Sequence, residues 1–185
     1  MKSPGFRSLS VSFPETIRTN DFYLEHHAEL VARAEEKSLA KMWAAHGGEQ
    51  GAFDLAFKPF RTDPFRGTVE RRILGKGEPI LPLEVQAARE AIAAAGLDTS
   101  DIDIVLSCSF QPDRPGIGHA VFLARELGIR GAAWNIESAC SSASVCFQLA
   151  SSLITSGQGE NVLVVISCSY SKVSDPQDTF GWFLG

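Results

Sequence analysis

Cysteine pairs, long hydrophobic runs and an excess of positive charge are all missing from this chain, and each absence removes a class of protein. The four cysteines, at 108, 140, 146 and 168, form no CxxC pair and share no ligand spacing with the four histidines. Neither a disulfide framework nor a metal site is expected from them, and reduced thiols are the default. The longest strongly apolar run, Val162 to Ile166, is far too short to span a membrane, and the N-terminus carries no hydrophobic signal region. A cytoplasmic protein is the expectation, with no membrane partner. A formal net charge of −5 argues against a nucleic-acid partner. What remains is ordinary globular composition, 44% hydrophobic and 21% charged over 185 residues, enough for one well-buried domain without repeats or low-complexity segments.

The pattern along the chain alternates strand and helix. Residues 6 to 13 read as a first strand closed by Pro14, and Asn20 can cap a helix that runs to about His46 and stops at Gly47-Gly48. Residues 49 to 77 read as irregular, a substrate-entrance or interface segment whose Phe53, Phe57, Phe60 and Phe65 serve as a core plug or a subunit contact. Leu83, Ala87, Ala88, Ala91, Ile92 and Ala95 then mark a helix ended by Gly96. Strands are expected at 102 to 108, 133 to 137 and 161 to 169, with helices at 118 to 127 and 140 to 156. The run Val162 to Ile166 suits a sheet covered on both faces. Such alternation predicts an α/β layered domain with mainly parallel pairing.

One cysteine stands where chemistry is made. In Asn135-Ile136-Glu137-Ser138-Ala139-Cys140-Ser141-Ser142-Ala143, a short apolar run precedes Cys140 and a helix follows it. Val145, Leu149 and Leu153, with Cys146, Ala150 and Ile154, form one broad apolar stripe that ends at Gly157. Cys140 therefore falls at or just before a helix N-terminus. There the unpaired N–H groups and the helix dipole favour an anion, whether thiolate or developing oxyanion. Spacing alone equally allows a small buried residue, since free cysteine is among the most buried types.

Lys58, Arg61, Arg66, Arg71, Arg72 and Lys76 face only Asp63 and Glu70 in their stretch, forming a local basic patch. It reads either as a solvated loop or as a docking surface for phosphates or an acidic carrier. Of the histidines, His26, His27 and His46 fall on the first helix and read as exposed. His119, after Pro115-Gly116-Ile117-Gly118, is the one placed to approach a site, with a helix-start or interface hydrogen bond as its ordinary role.

The order of segments carries more than any one of them. Asp101 to Leu106, Leu127-Gly128-Ile129, Ala139-Cys140-Ser141, Ser156-Gly157, Asn161 to Val165 and Phe183-Leu184-Gly185 resemble the N-terminal half of the thiolase superfamily, specifically the 3-oxoacyl-ACP synthase III-like ketosynthases. The resemblance covers about residues 5 to 185. It implies a layered αβαβα fold in which residues 1–185 form about the N-terminal half, with a mainly parallel mixed sheet, and Cys140 as nucleophile. It implies an acyl group loaded from acyl-CoA or acyl-ACP, then Claisen condensation with a malonyl or β-ketoacyl thioester. No cofactor is implied beyond coenzyme A or phosphopantetheine as part of the substrate.

Further expectations follow from the same resemblance. Arg71 and Arg72 match an arginine-containing segment near the pantetheine entrance, although the family's tryptophan just upstream has no counterpart. Ile117 and Phe122 lie in or beside the loop, Gln111 to His119, that crosses the family's dimer interface and helps set chain length; Asp113 there is the only acidic residue near where olefin-type members carry a glutamate. Ser141 and Ser142 stand beside the thioester position. The condensation histidine and asparagine belong to a C-terminal half, so a second polypeptide carrying them is expected, with a homodimer of the complete unit and activity only when both halves are present. Acyl transfer to an alcohol or amine, a non-catalytic ketosynthase-like subunit and a degradative thiolase are the alternatives.

Overall fold

The structure, a computed structural model, describes residues 3–45, 51–116 and 118–183. The chain divides into two compact units, one of residues 1–14 with 76–169 and one of residues 15–75 with 170–185.

In the second of these, β1 (Thr16–Thr19) pairs antiparallel with β2 (Glu70–Ile73), Thr16 opposite Ile73. Between them run α1 (Asn20–His26), α2 (Ala28–Ala45) and α3 (Ala52–Thr62). The single long helix expected from Asn20 is broken at His27, whose backbone (φ −137°, ψ 31°) leaves the helical region and donates its N–H to Tyr23. The stretch expected to be irregular contains α3 and β2. Asp54 accepts the Gly51 N–H at 3.2 Å, and that bond marks the start of α3, which continues despite Pro59 inside it. Of the expected aromatic plug only Phe65 is internal: it packs with Tyr23, Val31 and Trp182, whereas Phe53, Phe57 and Phe60 are exposed.

In the unit built around residues 76–169, three parallel strands lie in the order β4-β3-β5. They are β3 (Ile104–Phe110), β4 (Ala132–Asn135) and β5 (Val162–Cys168). Alternation across the central strand sorts its side chains. Val105, with Leu163 and Val165 of β5, packs against α4 (Leu81–Ala94) and α5 (His119–Leu127) through Ala88, Ile92, Leu123, Ala124 and Leu127. Ile104, Leu106 and Cys108 face the opposite way, onto Cys146 and Leu153 of α6 (Ser142–Thr155). Helices on both faces explain why β3 is buried almost throughout.

Two features fix the strand ends. Asp103 accepts the N–H groups of Glu160 (2.7 Å) and Asn161 (3.0 Å), clamping the start of β5. Those bonds hold its carboxyl below the usual carboxylate range. Gly131 passes so close to β3 that a Cβ there would stand 2.0 Å from the Asp103 carbonyl oxygen.

The first strand expected from the sequence, residues 6–13, forms no strand and joins no ladder among the described residues. Its alternation is real. Ser8, Ser10 and Ser12 bond to Ala91, Glu90 and Gln86 of α4, while Leu9, Val11 and Phe13 point outward. Among the described residues no helix is long and apolar enough to cross a membrane.

Candidate active site

The Cys140 turn is assembled from short-range bonds. β4 is continued by the Ile136 N–H, which donates to Ser107 O at 2.9 Å, and the chain then turns through a 3-10 stretch, Ala139–Ser141, directly into α6. Glu137 Oε1 accepts the Ala139 N–H at 2.8 Å, and Ser142 Oγ accepts the Ser138 N–H at 2.8 Å. Ser141 Oγ donates to Ser138 O at 2.7 Å. Ala139 is held at φ +46°, a left-handed conformation that costs a non-glycine residue on the order of 1 kcal/mol or more. The outcome is a tight strand-to-helix corner that carries Cys140 outward at the start of α6.

Of the four cysteines, Cys140 and Cys168 are exposed, and Cys108 and Cys146 are buried. Burial, and then the neighbouring Cys108, push the Cys146 thiol up, which makes it a poor nucleophile. Cys140 is the one cysteine on the strand-to-helix corner.

The flanking serines hold the turn. Ser142 is buried with its hydroxyl committed to Ser138, and Ser141 is exposed but bonded back to the same residue. Phe122 is half-buried, with the guanidinium groups of Arg114 and Arg125 lying 4.6 and 5.6 Å from its ring centre. It lines a cavity of about 460 Å³ together with Leu81, Val85 and His119. Ile117 and His46 lie outside the described residues.

The two arginines of the basic patch part ways. Arg72 is exposed, 3.8 Å from Glu70. Arg71 is buried: its guanidinium donates to the Trp182 carbonyl from Nε (2.5 Å) and Nη2, and to Asn20 Oδ1 (2.5 Å), between the rings of Tyr23 and Phe65. Burial, ahead of the opposing influence of Tyr23, lowers its pKa from the ordinary arginine value. The geometry makes Arg71 a bolt of its own unit and leaves Arg72 as the cation facing solvent.

A buried polar cluster sits on the α4–α5 face of the sheet, and sequence reasoning missed most of it. Glu84 of α4 takes a hydrogen bond from His119 Nε2 with one oxygen and from Ser167 Oγ with the other. Ser109 Oγ lies 2.8 Å from Ser167 Oγ; with the Ser167 proton given to Glu84, Ser109 is the donor of that bond. His119 opens α5, but its ring bonds across to Glu84 of α4 and is not a cap of its own helix; His27, expected on an exposed helix face, is half-buried at the α1–α2 break. A signal was present for Glu84, which interrupts the apolar row Leu81, Val85, Ala88 and Ile92. Among the described residues no group of three or more acidic, histidine or cysteine side chains is arranged to hold a metal.

Comparison with known proteins places this corner inside a family match. The family described as 3-oxoacyl-[acyl-carrier-protein (ACP)] synthase III matches residues 134–184. A beta-ketoacyl-[acyl-carrier-protein] synthase III of Brucella suis is 39% identical over 113 residues, 60% of this chain and 35% of that protein. The solved structure of 3-oxoacyl-[acyl-carrier-protein] synthase III from Aquifex aeolicus superposes with a TM-score of 0.64 at 25% identity, over 92% of this chain and 46% of the other. The priming beta-ketosynthase of the R1128 polyketide biosynthetic pathway gives 0.70 at 21% identity over all of this chain and 48% of its own, a likeness of fold. The chain thus spans about a third of the length of the curated relatives it matches and about half of the solved ones.

Proposed function

We propose, from the likeness to 3-oxoacyl-[acyl-carrier-protein] synthase III proteins, that Cys140 carries the acyl intermediate of a ketosynthase-type transferase. The observation that supports this most is the Cys140 corner itself: an exposed thiol at the start of α6, behind a backbone position held in the left-handed region.

In the proposed step, Cys140 Sγ attacks the carbonyl carbon of an acyl thioester of coenzyme A or of a carrier protein. A new S–C bond forms, the donor's C–S bond breaks, and the donor thiol departs with a proton. In a Claisen condensation of fatty-acid or polyketide type, the α-carbon of a second thioester, having lost CO2 or a proton, then attacks the acyl carbonyl: a C–C bond forms, the Cys140 S–C bond breaks, and the released thiolate takes up a proton. The groups that promote that condensation are proposed to come from further chain, since this chain covers only 35% of the Brucella suis relative. A dimer of the complete unit in the cytoplasm, with Arg72 near the donor's entrance, completes the reading.

The test is intact-mass measurement after incubation with a panel of acyl-coenzyme A donors and acyl carrier proteins, followed by peptide mapping. An acyl adduct on the Cys140 peptide that disappears in Cys140→Ala is the expected result. No adduct from any donor would turn the reading toward a non-catalytic ketosynthase-like subunit.

A further inference from the structure

Both oxygens of Glu84 have partners, but a neighbouring hydroxyl on β3 has none. Ser107 is 1% exposed, and its hydroxyl is the only buried side-chain polar atom among the described residues without a hydrogen-bond partner. A buried hydroxyl left unpaired costs on the order of 1–3 kcal/mol, so such a group calls for an explanation. Ser107 lines a cavity of about 240 Å³ at the C-terminal ends of β3 and β4, with Ser109, His119, Asn135, Ile136 and Glu137.

The cavity is built for a small polar guest. Asn135 Oδ1 is occupied by the Ala120 N–H at 2.7 Å, which leaves its amide N–H₂ as the available end. Gly116 and Gly118 stand where side chains would take up space; Gly116 has φ +84°, a conformation that favours glycine. Ile136 and Pro112 supply apolar wall. Glu137 is the link to the chemistry: it lines the cavity, and its carboxylate holds the N–H of Ala139, the residue before Cys140.

We propose that this cavity receives the acyl group carried by Cys140 and selects short acyl units bearing an oxygen, keto or hydroxyl, over plain alkyl chains of the same length. The inference rests on the reading of Cys140 as the acyl-carrying residue. An acyl oxygen in the cavity can pair with Ser107 Oγ and the Asn135 amide, whereas a methylene in the same place leaves the buried Ser107 hydroxyl without a partner. Sites built to hydrogen-bond a substrate oxygen reject analogues that lack it more strongly than apolar pockets reject an added methylene.

The experiment compares rates of Cys140 acylation by mass spectrometry, using the protein as purified with any co-purifying chain. The donors are length-matched coenzyme A thioesters: butyryl against acetoacetyl and 3-hydroxybutyryl. The expected result is loading by the oxygenated donors about tenfold faster. Ser107→Ala is expected to lower that ratio about tenfold, and Ser107→Thr, which keeps the hydroxyl, to preserve it. Equal loading by both donor types in the unaltered protein, or a ratio indifferent to Ser107→Ala, overturns the inference while leaving the acyl-carrying role of Cys140 standing. Failure of every donor to load Cys140 removes both.

Discussion

Glu137 accepts the backbone N–H of Ala139 at 2.8 Å and so holds the residue before Cys140 at φ +46°. A side chain three residues ahead of the candidate nucleophile thereby fixes the backbone that presents it. Ala139→Val, which places a β-branched residue in the left-handed region, is expected to cost about 2 kcal/mol and to slow acyl loading. Ala139→Gly is expected to keep both stability and loading. Urea unfolding and adduct formation, measured on the same preparations, check the pair.

Cysteine reactivity separates the four thiols by burial. Cys140 and Cys168 are expected to react with iodoacetamide in the native protein, and Cys108 and Cys146 only after unfolding. Burial raises the Cys146 thiol's pKa, so the folded state favours the neutral form. That contribution to stability is fully present below the unfolded thiol's pKa and fades as pH rises toward the folded value. Cys146→Ala is expected to leave acyl loading largely intact where Cys140→Ala abolishes it; equal loss in both would refute a single nucleophile.

The neighbouring arginines of β2 are expected to fail in different ways. Arg71→Ala leaves the buried Trp182 carbonyl and Asn20 without their donor, at a cost of about 3 kcal/mol. Arg72→Glu changes an exposed charge and is expected to hold stability within about 0.5 kcal/mol while raising the KM for the acyl donor more than it lowers kcat. Thermal melts and steady-state kinetics distinguish them. An unchanged KM would return Arg72 to an ordinary solvated cation.

Asp103 gives the fold an acid-sensitive clamp. Two backbone N–H groups depress its carboxyl pKa, from Asn161 first and Glu160 second. Its contribution is therefore present above the unfolded carboxyl's pKa and is lost as pH falls through the lower folded value. Because the group is near the surface the effect is small. Asp103→Asn is expected to lower the urea midpoint near neutral pH, and the two proteins' midpoints should converge in acid.

At Gly131 the space is closed. Gly131→Ala forces a Cβ to 2.0 Å from the Asp103 carbonyl, whose oxygen also accepts the Ala132 N–H at 3.0 Å. A loss of about 3 kcal/mol is expected, read from the unfolding midpoint. A variant as stable as the parent would mean that β4 can shift away from β3.

Much of this architecture was written in local pattern. The apolar run of β5, the four-residue stripe of α6 and the glycine after α4 depend on neighbours in sequence, so strands, helices and the position of Cys140 at a helix start could be read directly. Pattern failed where an element's identity depends on a distant partner. Residues 6–13 alternate as a strand does, yet their serines bond to α4 and no ladder forms among the described residues. Phe53 and Phe65 look alike in sequence, and only packing left one outside and put the other against Trp182.

The sequence by itself determined the alternating α/β order and the placing of one cysteine at a strand-to-helix corner, because periodicity and turn chemistry act over a few residues. Tertiary structure alone decided that Arg71 is a buried bolt and Arg72 a surface cation beside Glu70, since adjacent strand residues point to opposite faces and only the packed partner says which face is inside. It also brought Glu84, Ser107, His119 and Ser167 onto one face of the sheet from four separate elements or strand ends. Their juxtaposition is a property of the parallel sheet, in which residues far apart in sequence meet at the same ends of neighbouring strands.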